Sequence, residues 1–436
     1  METARTLNAY INMSQVGSLQ DNNGTWSFQY SSEWLEEGYP LSPSLPLEAD
    51  PIIDKSTFRH VQNFFDNLLP EEAARKLMAT DAGVNVSDRF ALLSFYGAES
   101  AGAIILLPEG VTPGFTAETR ELDYSALSKR IRSLPQHSLN KKSPKRMSLA
   151  GAQHKLPICF QPSEGKIFEP VGSTPSTHIL KPDHNDTANY PHSVINEWFI
   201  MTLADKAGLD VPYVHYLHVP EAIYIIKRFD REISESAYDR SHILDGCQLL
   251  QLAPESKYDQ CTIENLIKLA NMCNQPALTR REIFSWLVFN FITGNADAHL
   301  KNLSFYTGAE GYVLTPHYDL LNTTCYGETN TSWMNANMVT ELAGAKTFGD
   351  VTMDNLLNVA STMRIGSPKN IQRDILKMVN QINEGTQEIY RTLEEKNSAQ
   401  PDSLKLSLGE FQQLRAIIYG PIAEACSQLE TVKSGD

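Results

Sequence analysis

The chain has 436 residues, 42% hydrophobic and 20% charged, enough for a folded core divided among two or three subdomains. Its 52 acidic and 37 basic residues leave a formal charge of −15, which excludes a chain-wide electrostatic grip on nucleic acid but not a local basic patch. There is no basic-then-apolar leader, no window of ~18 apolar residues and no zinc-like spacing among six dispersed cysteines, so a cytoplasmic, reduced protein without a membrane partner is expected.

Residues 1–110 read as a β-rich module with a helical segment. Leu7–Met13 and Thr25–Tyr30 are strand candidates, with the turn-forming Asp21-Asn22-Asn23-Gly24 between them. Pro40–Leu47 holds too many prolines for a helix or central strand. Phe58–Leu69 carries apolar residues at helical spacing, Pro70-Glu71-Glu72 opens another helix through Leu77, and Ala103–Leu107 is a buried strand. The module shows no chemistry, and its Phe64-Phe65 pair reads as core. Residues 111–147 form a connector. It contains a short helix over Ala126–Leu134, with Ser125 as N-cap, and a basic stretch holding Lys141, Lys142, Lys145 and Arg146 that reads as a solvated, flexible loop.

The next segment, Ser148–Lys155 (SLAGAQHK), puts small residues at 150–152, where backbone N–H groups approach an anion, and Lys155 adds charge. It is neither a Walker loop nor G-x-G-x-x-G, so its weight comes from position. It precedes a hairpin, Lys155–Phe160 and Gly165–Glu169, which is how a kinase covers the phosphates of its nucleotide. The strand Thr177–Lys181 ends in a lysine that either points to solvent or serves a site. Helix Ser193–Ala207, apolar almost all round and stopped by Gly208, carries Glu197 inside its apolar surface. A buried carboxylate requires a partner, and Lys181 is the candidate. Strand Ile223–Ile226 leads into Lys227-Arg228-Phe229-Asp230-Arg231, either a linker whose backbone meets an adenine or a charged strand end. Asp245–Gln248 and Lys257-Tyr258 are polar stretches to which the sequence assigns no role.

From about residue 262 the chain turns helical, with Ile263–Met272 and the very apolar Arg281–Phe291. The second helix delivers Asp297, His299, Lys301 and Asn302, which are followed by a hairpin (Leu303–Thr307, Tyr312–Thr315) and by Asp319. This order suits phosphoryl transfer. One carboxylate accepts a proton, an amide five residues on reaches a Mg²⁺, and a second carboxylate completes the metal site, as in protein-kinase catalytic loops. His299 or Lys301 could neutralise charge on the transferring phosphate. Residues 320–345 are loop-rich, and Asp354–Met363, Asn370–Glu394 and Ser407–Leu429 read as amphipathic helices.

Taken together, Met147–Lys155, Thr177–Lys181, Asn196-Glu197, Arg228-Phe229-Asp230, Asn295–Asn302 and Leu314–Asp319 give the chain a resemblance to the HipA family, the kinase toxins of bacterial toxin–antitoxin pairs. The resemblance implies an α+β, two-lobed, protein-kinase-like fold that uses ATP and Mg²⁺ to phosphorylate serine or threonine. It implies Asp297 as catalytic base, with His299 and Lys301 beside it, and Asn302 and Asp319 as metal ligands. Ala150, Gly151, Ala152, Gln153, His154 and Lys155 become the phosphate loop, although some relatives carry an acid where His154 stands. Lys181, paired with Glu197, binds the α/β-phosphates; Lys227, Arg228, Phe229, Tyr318 and Asp319 complete the nucleotide site; Ser148 is a self-inactivating autophosphorylation site. The implied layout is a HipA-type module over 1–110, a connector over 111–147, a kinase-like core over 148–231 and a mainly helical lobe over 232–436. The implied partners are a helix-turn-helix antitoxin, as a dimer bridging two kinase chains, operator DNA through that complex, and a substrate of the translation machinery such as an aminoacyl-tRNA synthetase, whose modification leads to growth arrest and persistence. Two other readings stay open on the residues alone: phosphotransfer to a small molecule or lipid, and a DNA-bound co-repressor without catalysis.

Overall fold

Alternation decides the first sheet. Along Thr25–Tyr30, Trp26, Phe28 and Tyr30 are buried while Thr25 and Gln29 are exposed, the period of two that one covered face imposes. The computed structural model describes residues 4–114, 118–134, 136–145, 149, 153–172, 174–233, 238–326, 332–399 and 405–430. Expectations resting on Ser148, Ala150, Gly151 and Ala152 therefore lie outside the described residues. The chain folds into two compact units, one of Met1–Pro182, Ile225–Ser256 and Ser304–Thr315, the other of Asp183–Tyr224, Lys257–Leu303 and Pro316–Asp436.

In the first unit an antiparallel sheet runs in the order Ile52–Ile53, Thr25–Tyr30, Ser14–Asn22, Arg5–Ile11, Ile104–Pro108. Helix His60–Asp66 buries Phe64 and Phe65, and Phe28 meets Phe65 with ring centroids 5.6 Å apart. Strand Ser14–Asn22 and helix Arg89–Tyr96 are among the elements that escaped the sequence reading. Strand Ser14–Asn22 buries Val16, Gly17, Leu19 and Asp21, an irregular set that hides the strand period. Helix Arg89–Tyr96 is too short and too evenly apolar to show helical spacing; Asp88 caps it by accepting from the Ala91 N–H.

In a second sheet, strands Glu118–Glu121, Lys166–Val171, Leu156–Gln161 and His178–Pro182 of this unit lie side by side in that order, so the expected hairpin after residue 155 forms. Helix Tyr124–Arg132 starts ahead of its expected position because Asp123, not Ser125, supplies the cap, accepting from Ala126 N at 2.8 Å. Its Arg130 lies 2.6 Å from the buried Glu169, which also accepts from Ser143 Oγ at 2.7 Å. The basic stretch that follows is not a solvated loop throughout. Lys141 lies 3.4 Å from Asp81, and Lys145 is only 5% exposed.

Lys145 belongs to a buried ionic cluster centred on Glu99. Its Nζ lies 2.8 Å from Glu99, as does Arg240, with Arg231 at 3.0 Å and Arg228 at 3.3 Å. Asp230 adds a second carboxylate, 2.6 Å from Arg228 and 3.0 Å from Arg231, and accepts from the Gly102 N–H at 2.7 Å. Burial alone would raise the Glu99 pKa, but the four cations overcome it and hold the group well below the carboxylate range. Burial also lowers Lys145 to about 8, against the pull of Glu99 and with the help of neighbouring guanidiniums. The two partners of one bridge shift in the same direction because burial dominates at Lys145 while the converging cations dominate at Glu99. A third sheet joins Ile243–Asp245 to the hairpin Ser304–Gly308 and Gly311–Leu314.

The second unit is mainly helical. Helix Ser193–Lys206 buries Val194, Ile195, Phe199, Ile200 and Leu203 and so has no single apolar face. The long helix Pro368–Ala399 packs against it so closely that a Cβ on Gly385 would stand 2.9 Å from Leu203 Cδ1. Helix Ile263–Met272 has its expected bounds. The single helix expected over 407–429 is instead interrupted. Leu408–Ile417 passes through a π-helical turn, Ile418–Ile422, into Ala423–Glu430, because Pro421 lacks a backbone donor. Within the loop-rich segment, Asn337–Leu342 and Ala345–Thr347 form a small antiparallel ribbon.

Candidate active site

Helix Pro276–Ile292 is anchored by Ile283, Trp286, Leu287, Phe289 and Ile292, all buried, and ends at a polar turn. Gly294 makes the turn possible. Its φ is +66°, and a Cβ there would stand 2.6 Å from both Asn322 Nδ2 and Thr324 Oγ1. Asn322 Nδ2 donates to Thr293 O at 2.6 Å, and Thr323 Oγ1 accepts from Ala296 N at 2.6 Å. Asn295 donates to Asn290 Oδ1 at 2.7 Å and accepts from the Asp297 N–H at 3.0 Å. Asn196 is tied to Asn322 through two hydrogen bonds, Nδ2 donating to the Asn322 carbonyl at 2.7 Å and Oδ1 accepting from its N–H at 3.0 Å. Asn322, Thr323 and Asn295 thus aim Asp297, roles that no sequence spacing signals.

Asp297 is half-buried, and its Oδ1 accepts from the Tyr258 hydroxyl at 2.8 Å. The Tyr258 ring meets His299 edge-on with centroids 5.0 Å apart and carries Lys257 Nζ over the ring, 4.9 Å from its centroid. Asn302 folds back to donate from Nδ2 to the Asp297 carbonyl at 3.3 Å, and its Oδ1 accepts no hydrogen bond among the described residues although Asn302 is 4% exposed. His299 and Lys301 are both buried. Tyr318 donates its hydroxyl to the Lys301 carbonyl at 2.7 Å, which fastens the segment leading to Asp319 onto the same turn. Asp319 takes a left-handed backbone conformation, φ 56°, sparsely populated by non-glycine residues and found at functional sites. Burial, then the fields of Glu197 and Asp319, push the Tyr224 phenol well above its ordinary pKa, so both carboxylates act on one buried point of this unit. His317 is buried, which lowers it to about 4 and leaves it neutral at physiological pH.

The remaining predicted residues lie in the first unit. Lys181 is buried near the end of strand His178–Pro182. Gln153, His154 and Lys155 are half-buried, and Gln153 donates to the Pro182 carbonyl at 3.2 Å. Lys227 is exposed and Phe229 half-buried, its carbonyl accepting from the Tyr306 hydroxyl at 3.0 Å. The Arg228 guanidinium is taken up by Asp230, Glu99 and Ser176 inside the buried cluster, which leaves the backbone of this stretch, the part expected to meet an adenine, as what it offers a nucleotide. Similarly, the Tyr318 hydroxyl is engaged with Lys301.

The α+β architecture with this polar turn is a kinase-like fold. A model of the HipA-like C-terminal domain matches residues 147–387, and one of the HipA N-terminal domain matches residues 7–107. A protein of Sinorhizobium fredii, Y4mE, whose name calls it a kinase, is 32% identical over 420 residues, 93% of this chain and 96% of that one. The serine/threonine-protein kinase toxin HipA of Shewanella oneidensis is 31% identical over 348 residues, 75% of this chain and 77% of the relative. The fold is that of Shewanella oneidensis HipA solved in complex with HipB and operator DNA, with a TM-score of 0.79, 24% identity and 97% of each chain covered. The chain belongs to the HipA family of toxin kinases. No helix among the described residues is long and apolar enough to cross a membrane.

Proposed function

We propose that the chain is an ATP-dependent protein kinase that transfers phosphate to a serine or threonine hydroxyl, with Asp297 as the base. The observation that carries this reading is the Asp297 turn itself: a half-buried carboxylate held by the Tyr258 hydroxyl at 2.8 Å, with Asn302 folded onto its carbonyl at 3.3 Å. A carboxylate so placed accepts the acceptor's proton as its oxygen attacks the γ-phosphorus, while the bond to the leaving ADP oxygen breaks. Asn302 Oδ1 and the Asp319 carboxylate are hard oxygen donors, the set that suits Mg²⁺, and the spare oxygen on a nearly buried Asn302 fits that use. Bound there, the ion neutralises phosphate charge. Lys181 serves the α/β-phosphates, with His154 and Lys155 of the same unit. The backbone of 227–229, with Phe229 and Tyr318, takes the rest of the nucleotide. His299 or Lys301 balances charge on the phosphate in transfer.

By analogy with its relatives the chain acts as a cytoplasmic toxin. A helix-turn-helix antitoxin restrains it, the pair engages operator DNA, and the substrate is a protein of the translation machinery. Autophosphorylation on Ser148 would add about −1.5 to −2 charge and switch the kinase off. The test is transfer of label from γ-labelled ATP with Mg²⁺ into the protein itself and into cell lysate, with Asp297→Asn as control. Label in protein that disappears in the variant supports the reading. Transfer only to metabolites or lipids, or no transfer at all, overturns it.

A further inference from the structure

Helix Glu72–Ala82 of the N-terminal module carries Asp81 in its last turn, where the negative end of the helix dipole disfavours an acid. The contacts of Asp81 offset that cost. Its side chain is 3% exposed, and Oδ2 accepts from the Ser138 N–H at 2.7 Å. Oδ1 lies 3.4 Å from Lys141 Nζ and 3.6 Å from His137 Nδ1, and these two nitrogens are 2.7 Å apart. One carboxylate thus grips three residues of the connector, the first hydrogen bond spanning 57 residues of chain. The gripped turn, Leu139–Lys142, meets both the helix and the flanks of residues 150–152. Ala74 and Met78 of the helix, Leu139 of the turn, and Leu149, His154 and Lys155 line one cavity of about 20 Å³. Asn140 Nδ2 donates to the Lys155 carbonyl at 3.5 Å, and Gln153 donates to the carbonyl of Pro182, the residue after Lys181. All of these residues belong to the first unit.

We propose that Asp81 is a positioning residue for the nucleotide's phosphates: by fixing the turn at 137–141 it sets where Leu149 and residues 153–155 stand. The inference rests on the proposed kinase activity and adds to it a residue from a module that shows no chemistry of its own. Apolar contact does not close this seat. A cavity is left in it, and Ser138 Oγ and Asn140 Oδ1 are buried with no hydrogen-bond partner among the described residues. The polar ties to Asp81 therefore hold the turn. Without them residues 153–155 sample several positions, only one of which meets the phosphates, and the affinity for ATP falls by the fraction of time spent there. Chemistry on the nucleotide that does bind is little changed.

The test measures KM for ATP and kcat, by label transferred into protein, for the full-length wild type, Asp81→Ala, Asp81→Asn and Lys76→Ala, the last an exposed position of the same helix. Asp81→Ala is expected to raise KM for ATP about tenfold, as for loss of a hydrogen bond to a charged group, with little change in kcat. Asp81→Asn keeps an acceptor for the Ser138 N–H and should recover part of that rise, while Lys76→Ala should match wild type. A merely structural Asp81 would lower the melting temperature and the active fraction, and so kcat, but leave KM where it was. Should Asp81→Ala fail to fold, Asn140→Ala keeps the ties to Asp81 and removes the Lys155 contact, and the same rise in KM is expected. An unchanged KM in the variant that folds, or a rise matched by Lys76→Ala, overturns the inference and leaves the kinase reading standing. A wild type that neither binds ATP nor transfers phosphate overturns both.

Discussion

Replacing Glu99 by Gln keeps the shape of the side chain and removes the charge on which four cations converge. Lys145 and Arg240 stand at 2.8 Å, Arg231 at 3.0 Å and Arg228 at 3.3 Å. After the substitution Asp230 is the carboxylate left facing them among the described residues, 2.6 Å from Arg228 and 3.0 Å from Arg231, in a buried site. Breaking a buried bridge by removing one partner costs about 3–5 kcal/mol, and Glu99→Gln is expected in that range because the cations it leaves repel one another. Lys145→Met should be far milder, below ~1.5 kcal/mol, since it removes both an attraction to Glu99 and one of the surplus positive charges. Urea denaturation followed by circular dichroism and tryptophan fluorescence reads both numbers. A Glu99→Gln midpoint close to wild type, or a Lys145→Met loss as large as that of Glu99→Gln, would refute the charge-surplus reasoning. The same lysine has a pH signature. Its folded pKa near 8 lies below the ordinary 10.5, so between those values the unfolded chain holds the proton and the folded one does not. Stability contributed at this site therefore rises by about 3 kcal/mol from pH 8 to 10.5, a rise that subtraction of the Lys145→Met curve should remove.

Gly294→Ala forces a Cβ to within 2.6 Å of Asn322 and Thr324 at φ +66°. A loss of ~1–3 kcal/mol in stability and more than about a hundredfold in phosphotransfer is expected from a displaced Asp297; near-normal kcat would show that the turn does not depend on this glycine. Tyr258→Phe removes the hydroxyl that donates to Asp297 at 2.8 Å. A fall of about tenfold in kcat is expected with the pH profile shifted, since a hydrogen bond to a charged group is lost, and an unchanged profile would argue that the contact is incidental. Burial holds His317 near 4 in the fold against an ordinary 6.5. The unfolded chain takes up the proton first as pH falls, so up to ~3 kcal/mol is lost between pH 6.5 and 4, and His317→Gln should flatten that part of the stability curve.

The nearness of two candidate site residues was legible in the chain order. Asp297 and Asn302 lie on one turn after a helix so apolar that it had to be buried, and the structure folds Asn302 back onto Asp297. Strand Thr25–Tyr30 and helix Ile263–Met272 could be read because a period of two or of 3.6 records which face a segment turns inward. What a periodicity does not record is the partner of a charge. Arg228 sits in a stretch that reads equally as an adenine-contacting linker and as a charged strand end, and its neighbour in space is Glu99, 129 residues earlier. Lys145 reads as solvated for the same reason and is buried by the same carboxylate. Tyr258 carried no role until its hydroxyl was found 2.8 Å from Asp297, and Asn322 none until it braced the turn from the far side. The division of the chain also interleaves, with Ser304–Thr315 in one unit and the residues on either side of it in the other. The sequence by itself determined which groups the protein owns and which segments it buries, because both are written in local composition and spacing. Which group faces which was decided only by the tertiary structure, because a buried charge takes its counter-ion from whatever the fold brings near, at any distance along the chain.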